Sequence, residues 1–273
     1  MLVSRKIYLS LFLFDLCMVQ NAFADKVLTL GVVPQYDLAK IEATWNPLLK
    51  ILKKSYGISF KLKHEKSIPA FEQALYKGSY DCAYMNPYHL LVANQKSDYV
   101  PVVKDSVKKL YGIVVVARNS YVNKVQQLDN KVVAFPAPNA LGATLLVKAE
   151  LSEKYKINVR PKYVKSHTSV YLNVILGGAL AGGGVQKTFN QQPDRIKNKL
   201  KIIYTTQKVN AHPLACRMLL GQQTLEKIGN ALIDLSVHRS DEKALKILPM
   251  KKIGHSSLND YVELKMLLKD KNK

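Results

Sequence analysis

The stretch that most constrains this chain is residues 166–189, SHTSVYLNVILGGALAGGGVQKTF. In it a helical period, a helix stop and a glycine-lined apolar run follow one another without a spacer. Val170, Val174, Ile175 and Ala179 recur at helical spacing, Gly177 and Gly178 stop the helix, and residues 180–185 then run as a short buried strand. Gly182, Gly183 and Gly184 let something approach the strand backbone closely. The entry loop at Ser166 and His167 and the exit after Val185 are both candidate ligand-binding ground.

A similar unit stands earlier, at residues 68–84, IPAFEQALYKGSYDCAY. Aligning Gly78 with Gly178 sets Phe71 against Tyr171, Leu75 against Ile175 and Ala83 against Gly183, an offset of 100 residues. An architectural repeat of this kind predicts two similar α/β lobes, each offering a strand end to a shared cleft.

With 273 residues, 48% of them hydrophobic, the chain is long enough for one or two domains with real cores, which excludes a disordered chain. Residues 1–24 read as a secretory signal peptide: Arg5 and Lys6, an apolar run, then Ala22-Phe23-Ala24 before Asp25. Asp15 interrupts the run, which falls short of the roughly 20 residues of a spanning helix, and Leu16 precedes Cys17 where lipidation requires a small residue. Cleavage after Ala24 is therefore expected over an uncleaved anchor or a lipidated Cys17. The formal charge is +21. In an exported protein this favours an anionic small molecule or surface as partner over nucleic acid, although most of the lysines simply solubilise exposed faces. Cys82 and Cys216 remain after processing, each in an apolar run. An oxidising compartment permits a disulfide, but the sequence cannot place the two together, and buried free thiols are the expectation.

Along the chain, residues 26–33 read as a first strand ended by Pro34, followed by a loop, 34–40, in which Gln35, Tyr36 and Asp37 are ligand candidates. A helix over 45–56 and a strand in ISFKLKHE come next. A helix over 70–77 then leads into a strand over 80–85 and a helix over 88–94, with Tyr84, Asn86, Tyr88 and His89 at the junction. Strands are expected over 99–103, 111–118, 131–135, 159–164, 200–205 and within 208–220, and helices over 143–154, 224–236 and 258–268. The loop 136–142 precedes a helix amino terminus, a natural anion seat.

The segments LTLGVVPQYD, GSYDCAYMNPYHLL, VVAFPAPNALGAT, SHTSVYLNVILGGALAGGGVQKTF and SSLNDYVELKMLL, in that order, resemble the phosphate/phosphite/phosphonate type of periplasmic substrate-binding protein of ABC transporters. The resemblance covers nearly the whole chain after residue 24. It implies an α/β fold of the type II periplasmic binding protein kind, with a ligand cleft between two lobes and two crossing hinge strands, expected at 111–118 and 212–220. The lobes are expected as 25–118 with 213–273, and 119–212. The resemblance further implies ligand contacts from Tyr36, Tyr84, Asn86, Tyr88, Asn139, Gly142, Thr144, Ser166, His167 and His212. His167 matches a position where family members commonly carry an anion-holding histidine, a group that gains charge easily beside an oxyanion.

One departure bears on the ligand. Phosphonate-binding members present a serine/threonine cluster before the glycine, where this chain has Asn139-Ala140-Leu141-Gly142. Without those hydroxyls, leaving backbone amides, Asn139 and Thr144, a buried dianion lacks donors, so a simple phosphonate is not the expected ligand. The expectation is a non-catalytic, monomeric, periplasmic solute-binding protein, without cofactor or metal, that captures a small anionic ligand for an ABC permease. The alternatives are a ligand-sensing subunit for a membrane sensor, a thiol- or metal-binding sensor using Cys82, His89 or Cys216, and an enzyme using Ser166 and His167. No third residue orients that last pair, and no compact metal-ligand spacing supports the sensor.

Overall fold

The computed structural model describes residues 27–238 and 243–265. The expected signal peptide, residues 1–24, lies outside the described residues, as do the last positions of the helix expected over 258–268.

The first segment runs β1 (Leu28–Val32), α1 (Leu38–Tyr56), β2 (Phe60–Lys63), α2 (Ile68–Tyr76), β3 (Cys82–Tyr84), α3 (Pro87–Ser97) and β4 (Tyr99–Asp105). A short β5 (Lys109–Leu110) carries the chain into a second lobe. That lobe comprises β6 (Gly112–Ala117), β7 (Val132–Phe135), α4 (Val147–Tyr155, preceded by a wider π-type turn over Leu141–Leu146), β8 (Arg160–Tyr163), α5 (His167–Ile175), β9 (Ala181–Val185), α6 (Gln186–Asn190), α7 (Asp194–Lys197) and β10 (Leu200–Thr205). The chain returns through β11 (Val209–Asn210) to β12 (Leu214–Arg217), α8 (Gln222–His238), α9 (Lys243–Ile247) and β13 (Ile253–His255). Leu258–Lys265 ends the described chain as a 3-10 helix, within the span where a helix is expected.

The strands form a six-stranded sheet, β13-β4-β12-β3-β1-β2, and a five-stranded sheet, β10-β6-β9-β7-β8. Each has a parallel core, β2-β1-β3 and β8-β7-β9, followed by a strand that arrives antiparallel from the other lobe, β12 or β6. Gly112–Ala117 therefore belongs to the second sheet, although the expected boundary at 118 groups it with the first. The expected crossing strands, 111–118 and 212–220, lie within the two sheets. The crossing itself is the antiparallel ribbon β5–β11, with Leu110 opposite Val209 and Lys109 opposite Asn210. Hydrophobic runs could not locate this ribbon, because two residues per strand leave no periodicity to read.

The core of the second lobe follows strand alternation. Val114 and Val116 in β6 face Val147 and Leu151, while Ile113 and Val115 face Val170 and Val174 on the other side. A sheet covered on both faces needs such an unbroken apolar run. The β9 glycines serve the same layers. A Cβ on Gly182 would lie 2.6 Å from Val170, one on Gly184 2.5 Å from the Tyr171 hydroxyl, and one on Gly183 2.2 Å from the Ala143 carbonyl oxygen and 2.4 Å from the Phe135 ring. What approaches this strand is α5 on one face and the entry to α4 on the other, rather than a ligand. Gly183→Ala is accordingly expected to destabilise the protein by about 3 kcal/mol, because backbone and ring must both move. Urea unfolding measures this, and an unchanged midpoint would refute the packing role.

The repeat is real in topology but shifted by one residue. Ser67 and Ser166 cap α2 and α5 by accepting from Ala70 N and Ser169 N, both helices are nine residues long, and Gly78 and Gly177 follow them at φ +70° and +74°. The offset is thus 99 residues, and Gly177 rather than Gly178 takes the left-handed conformation. Helix α1 also begins earlier than expected. Asp37 caps it by accepting from Lys40 N, so the helix expected over 45–56 starts at Leu38 and holds Pro47 in its interior. Ile41, Trp45, Leu48 and Leu52 form its buried stripe.

The expectation of free thiols is overturned. Cys82 and Cys216 stand opposite each other in the antiparallel β3–β12 pair, 3.9 Å apart at Cα, and form a disulfide. The pairing depends on β12 returning from the second lobe to lie against β3, which no local pattern around either cysteine reveals. A sensor working through these two thiols is therefore not what the fold presents.

Candidate functional site

The carboxyl ends of the parallel strands from both lobes meet at the crossing ribbon, where open α/β sheets leave their binding crevices. A cavity of about 390 Å³ lies there. From the first lobe it receives Gln35 after β1, Tyr84 at the end of β3 and His212 ahead of β12; from the second it receives Lys187 and Thr188 on α6, with Gln191 just beyond. Leu110, Tyr111 and Val185 give it apolar and aromatic wall, and Lys108 and Lys109 stand at its rim, both exposed. A smaller cavity of about 60 Å³ continues beside Tyr36, Trp45 and Lys40, sharing Tyr84, Lys187 and Gln191. No carboxylate lines either cavity among the described residues.

His212 is buried at the base, its ring stacked on Tyr84 with centroids 5.5 Å apart. Burial, then the neighbouring Lys187, His89 and His167, hold its pKa well below the ordinary histidine value. The ring is neutral, and its Nε2, 3.2 Å from Gln35 Nε2, accepts from the amide. Burial raises the Tyr84 hydroxyl well above 10 and that of Tyr36 to about 12, so both phenols keep their protons as donors. Lys187 Nζ donates to the Pro249 carbonyl at 3.0 Å. Burial first, and then Lys108, lower its pKa to about 8.

Hydrogen bonds from both lobes cross the cleft among the described residues. Tyr36 donates to Gln191 Oε1, and Lys187 reaches Pro249 as described. Deeper in, Asn139 Nδ2 donates to Glu72 Oε2 at 2.9 Å and Asn86 Nδ2 donates to the Asn139 carbonyl at 3.2 Å. Glu72 Oε1 in turn lies 2.9 Å from Nε2 of His89, which is fully buried. Asn86 also caps α3 by accepting from His89 N, so its position is fixed from both sides.

The expected site residues divide accordingly. Tyr36, Tyr84 and His212 line the cavities, whereas Asn86 and Asn139 join the lobes. The remaining five stand back from the cavity walls. Tyr88 is packed in the first-lobe core at 2% exposure. Thr144 spends its hydroxyl proton on the Ala137 carbonyl at 2.8 Å, and Gly142 is pressed between Val185 and Leu110. Ser166 is the α5 cap. His167 lies behind Thr188, with Nδ1 3.3 Å from its hydroxyl, and burial lowers its pKa to about 4, so it is a neutral ring rather than an easily charged one. Ala140 and Leu141, which replace the expected hydroxyls, are buried with the first-lobe core.

Sequence reasoning passed over Lys187, Thr188, Gln191 and Glu72. The first three follow directly on the glycine-lined strand, whose exit was the available signal. Glu72 sits on a helix face that reads as solvated until Asn139 from the other lobe arrives.

Comparison with known proteins agrees with this architecture. The structure superposes on PhnD1 from Prochlorococcus marinus, solved in complex with methylphosphonate, with a TM-score of 0.82 at 15% identity over 91% of this chain and 99% of that one. It superposes on a binding protein component of an ABC phosphonate transporter from Pseudomonas aeruginosa with a TM-score of 0.80 at 14% identity, over 90% and 86% of the two chains. In sequence it is 21% identical over 225 residues to the phosphate-import protein PhnD of Mycolicibacterium smegmatis, covering 74% of this chain and 70% of the relative. The family profile described as "ABC transporter, phosphonate, periplasmic substrate-binding protein" matches residues 30–261. With both lobes, the crossing ribbon and the cleft within that match, the chain belongs to the phosphonate-type periplasmic substrate-binding proteins of ABC transporters.

Proposed function

We propose that this chain is an exported, non-catalytic solute-binding protein, released by cleavage after Ala24, that captures a small anionic ligand in the interlobe cleft and delivers it to an ABC permease. The observation that carries the reading is the cleft cavity itself, walled by both lobes and supplied with Lys187, Lys108 and Lys109 but, among the described residues, no carboxylate. Ligand held there stabilises the closed arrangement and presents both lobes together to a membrane partner. Relatives named for phosphate import and for a methylphosphonate complex make an anion the natural class.

Phosphate and simple alkylphosphonates are nevertheless poor ligands in this reading. Ala140 and Leu141 offer no side-chain donors, Thr144 has committed its proton to Ala137, and His167 and His212 are neutral. Each missing donor to a buried charged oxygen costs about 1–3 kcal/mol, so two or three weaken binding by several powers of ten. Calorimetry on the mature protein is expected to give dissociation constants above about 100 µM for methylphosphonate and phosphate, whereas submicromolar binding of either would refute the exclusion. Mass spectrometry of what co-purifies after gentle isolation tests solute capture directly, and is expected to find a stoichiometric organic anion.

A further inference from the structure

Lys187 is a buried cation at the junction of the two cavities. Its stem leaves α6, its ammonium donates to one backbone carbonyl, that of Pro249, and among the described residues it makes no ion pair. The charged and titratable groups around it are Lys108, Lys40, His212 and Asp105. Asp105 is 2% exposed, and its carboxylate accepts from the backbone amides of Val107, Lys108 and Lys251. An ammonium drawn out of water with only one carbonyl for company is unfavourable unless an anion completes its shell.

Resting on the reading of the cleft as a solute site, we infer that the ligand is an organic monoanion whose carboxylate or sulfonate sits on the Lys187 ammonium, with an apolar body against Leu110, Tyr111 and Val185. One desolvated cation balances one negative charge. Lys108 and Lys109 are exposed at the rim, with Lys109 Nζ engaged by Asn210 Oδ1 at 2.7 Å, and both nearby imidazoles are neutral. Tyr84 and Gln35 remain as neutral donors, suited to orienting oxygens rather than to neutralising a second charge. The volume of about 390 Å³ falls in the range of pockets that enclose whole organic molecules and is ample for a body larger than methyl. Lys187 is thus the group that selects charge, and the apolar wall the feature that selects size.

A matched series tests this on the mature protein after dialysis: phenylacetate, phenylmethanesulfonate, benzylphosphonate and the neutral phenylacetamide, titrated by calorimetry into wild type, Lys187→Met and Lys187→Arg. The expected result is binding of either monoanion, or both, at least tenfold tighter than the amide and the phosphonate. That binding should be lost by a factor of ten or more in Lys187→Met and largely kept in Lys187→Arg. The sulfonate keeps its charge across the range, so its wild-type affinity should be highest below pH 8, where Lys187 is protonated, and fall as pH rises from 8 to 10. The Lys187→Arg profile should stay flat, because arginine holds its charge. Equal binding to Lys187→Met, or a preference for the amide or the phosphonate, would overturn the inference. Silence of the whole series while a co-purifying ligand is found by mass spectrometry would overturn the ligand class and leave solute capture standing; silence with no such ligand would overturn both.

Discussion

Replacing Cys82 and Cys216 together by alanine is expected to lower the unfolding free energy by roughly 2–5 kcal/mol and the melting temperature by on the order of 10 °C. The two cysteines close a loop of 134 residues that contains the whole second lobe. Cross-linking so long a loop removes much of the freedom of the unfolded chain. Both residues are fully buried where β12 enters the first sheet between β3 and β4, so the alanine pair also leaves an unfilled space at that junction. Thermal unfolding followed by circular dichroism reads the effect, and a melting temperature within a degree of wild type would show that the link contributes nothing.

Glu72→Ala is expected to act on both stability and shape, with a loss of about 2–4 kcal/mol together with a more open cleft. Its carboxylate is bonded on one side to His89 within the first lobe and on the other to Asn139 across the cleft. Removing it takes one hydrogen-bond partner from the buried imidazole and one from the Asn139 amide at once. Asn139→Ala separates the two consequences: the Glu72–His89 pair stays intact, so stability falls by only about 1 kcal/mol, while the lobes lose their deepest side-chain link. Small-angle scattering of the ligand-free variants should show an increased radius of gyration for both. Two compact variants would mean that the Asn139 contact does not hold the lobes together.

Local signals made much of this fold legible. The β6 run of apolar residues, the Gly57 stop after α1 and the glycine-lined β9 each follow from periods of two or 3.6 and from the special backbone freedom of glycine. Shared motifs gave the two-lobed architecture. What stayed hidden depends on the meeting of distant segments. The Cys82–Cys216 link, the two-residue ribbon at the crossing and the Asn139–Glu72 bond each join positions more than 60 residues apart. The same reason explains the site: Tyr36, Tyr84 and His212 stand out as aromatic or imidazole groups at strand ends, whereas Lys187 is one lysine among many until its burial, and the lack of an ion pair to it among the described residues, are seen. Thr144 and Ser166 erred in the opposite direction, their hydroxyls being taken up by local backbone and capping contacts that serve the loop and helix themselves.

The position of β12 also sets an order of assembly as the chain is made. All the strands of the second sheet lie between Gly112 and Thr205 and are complete once that segment has emerged. The first sheet, begun at Leu28, must wait for Leu214–Arg217 to insert at its centre and for Ile253–His255 to cover the far edge of β4. Until then β3 and β4 are not joined and Cys82 has no partner. The lobe that starts first is therefore the last to be finished, and a chain cut short before residue 214 would carry one mature lobe beside a half-built sheet with a reactive thiol on its open edge, the kind of species that proteases and aggregation remove first.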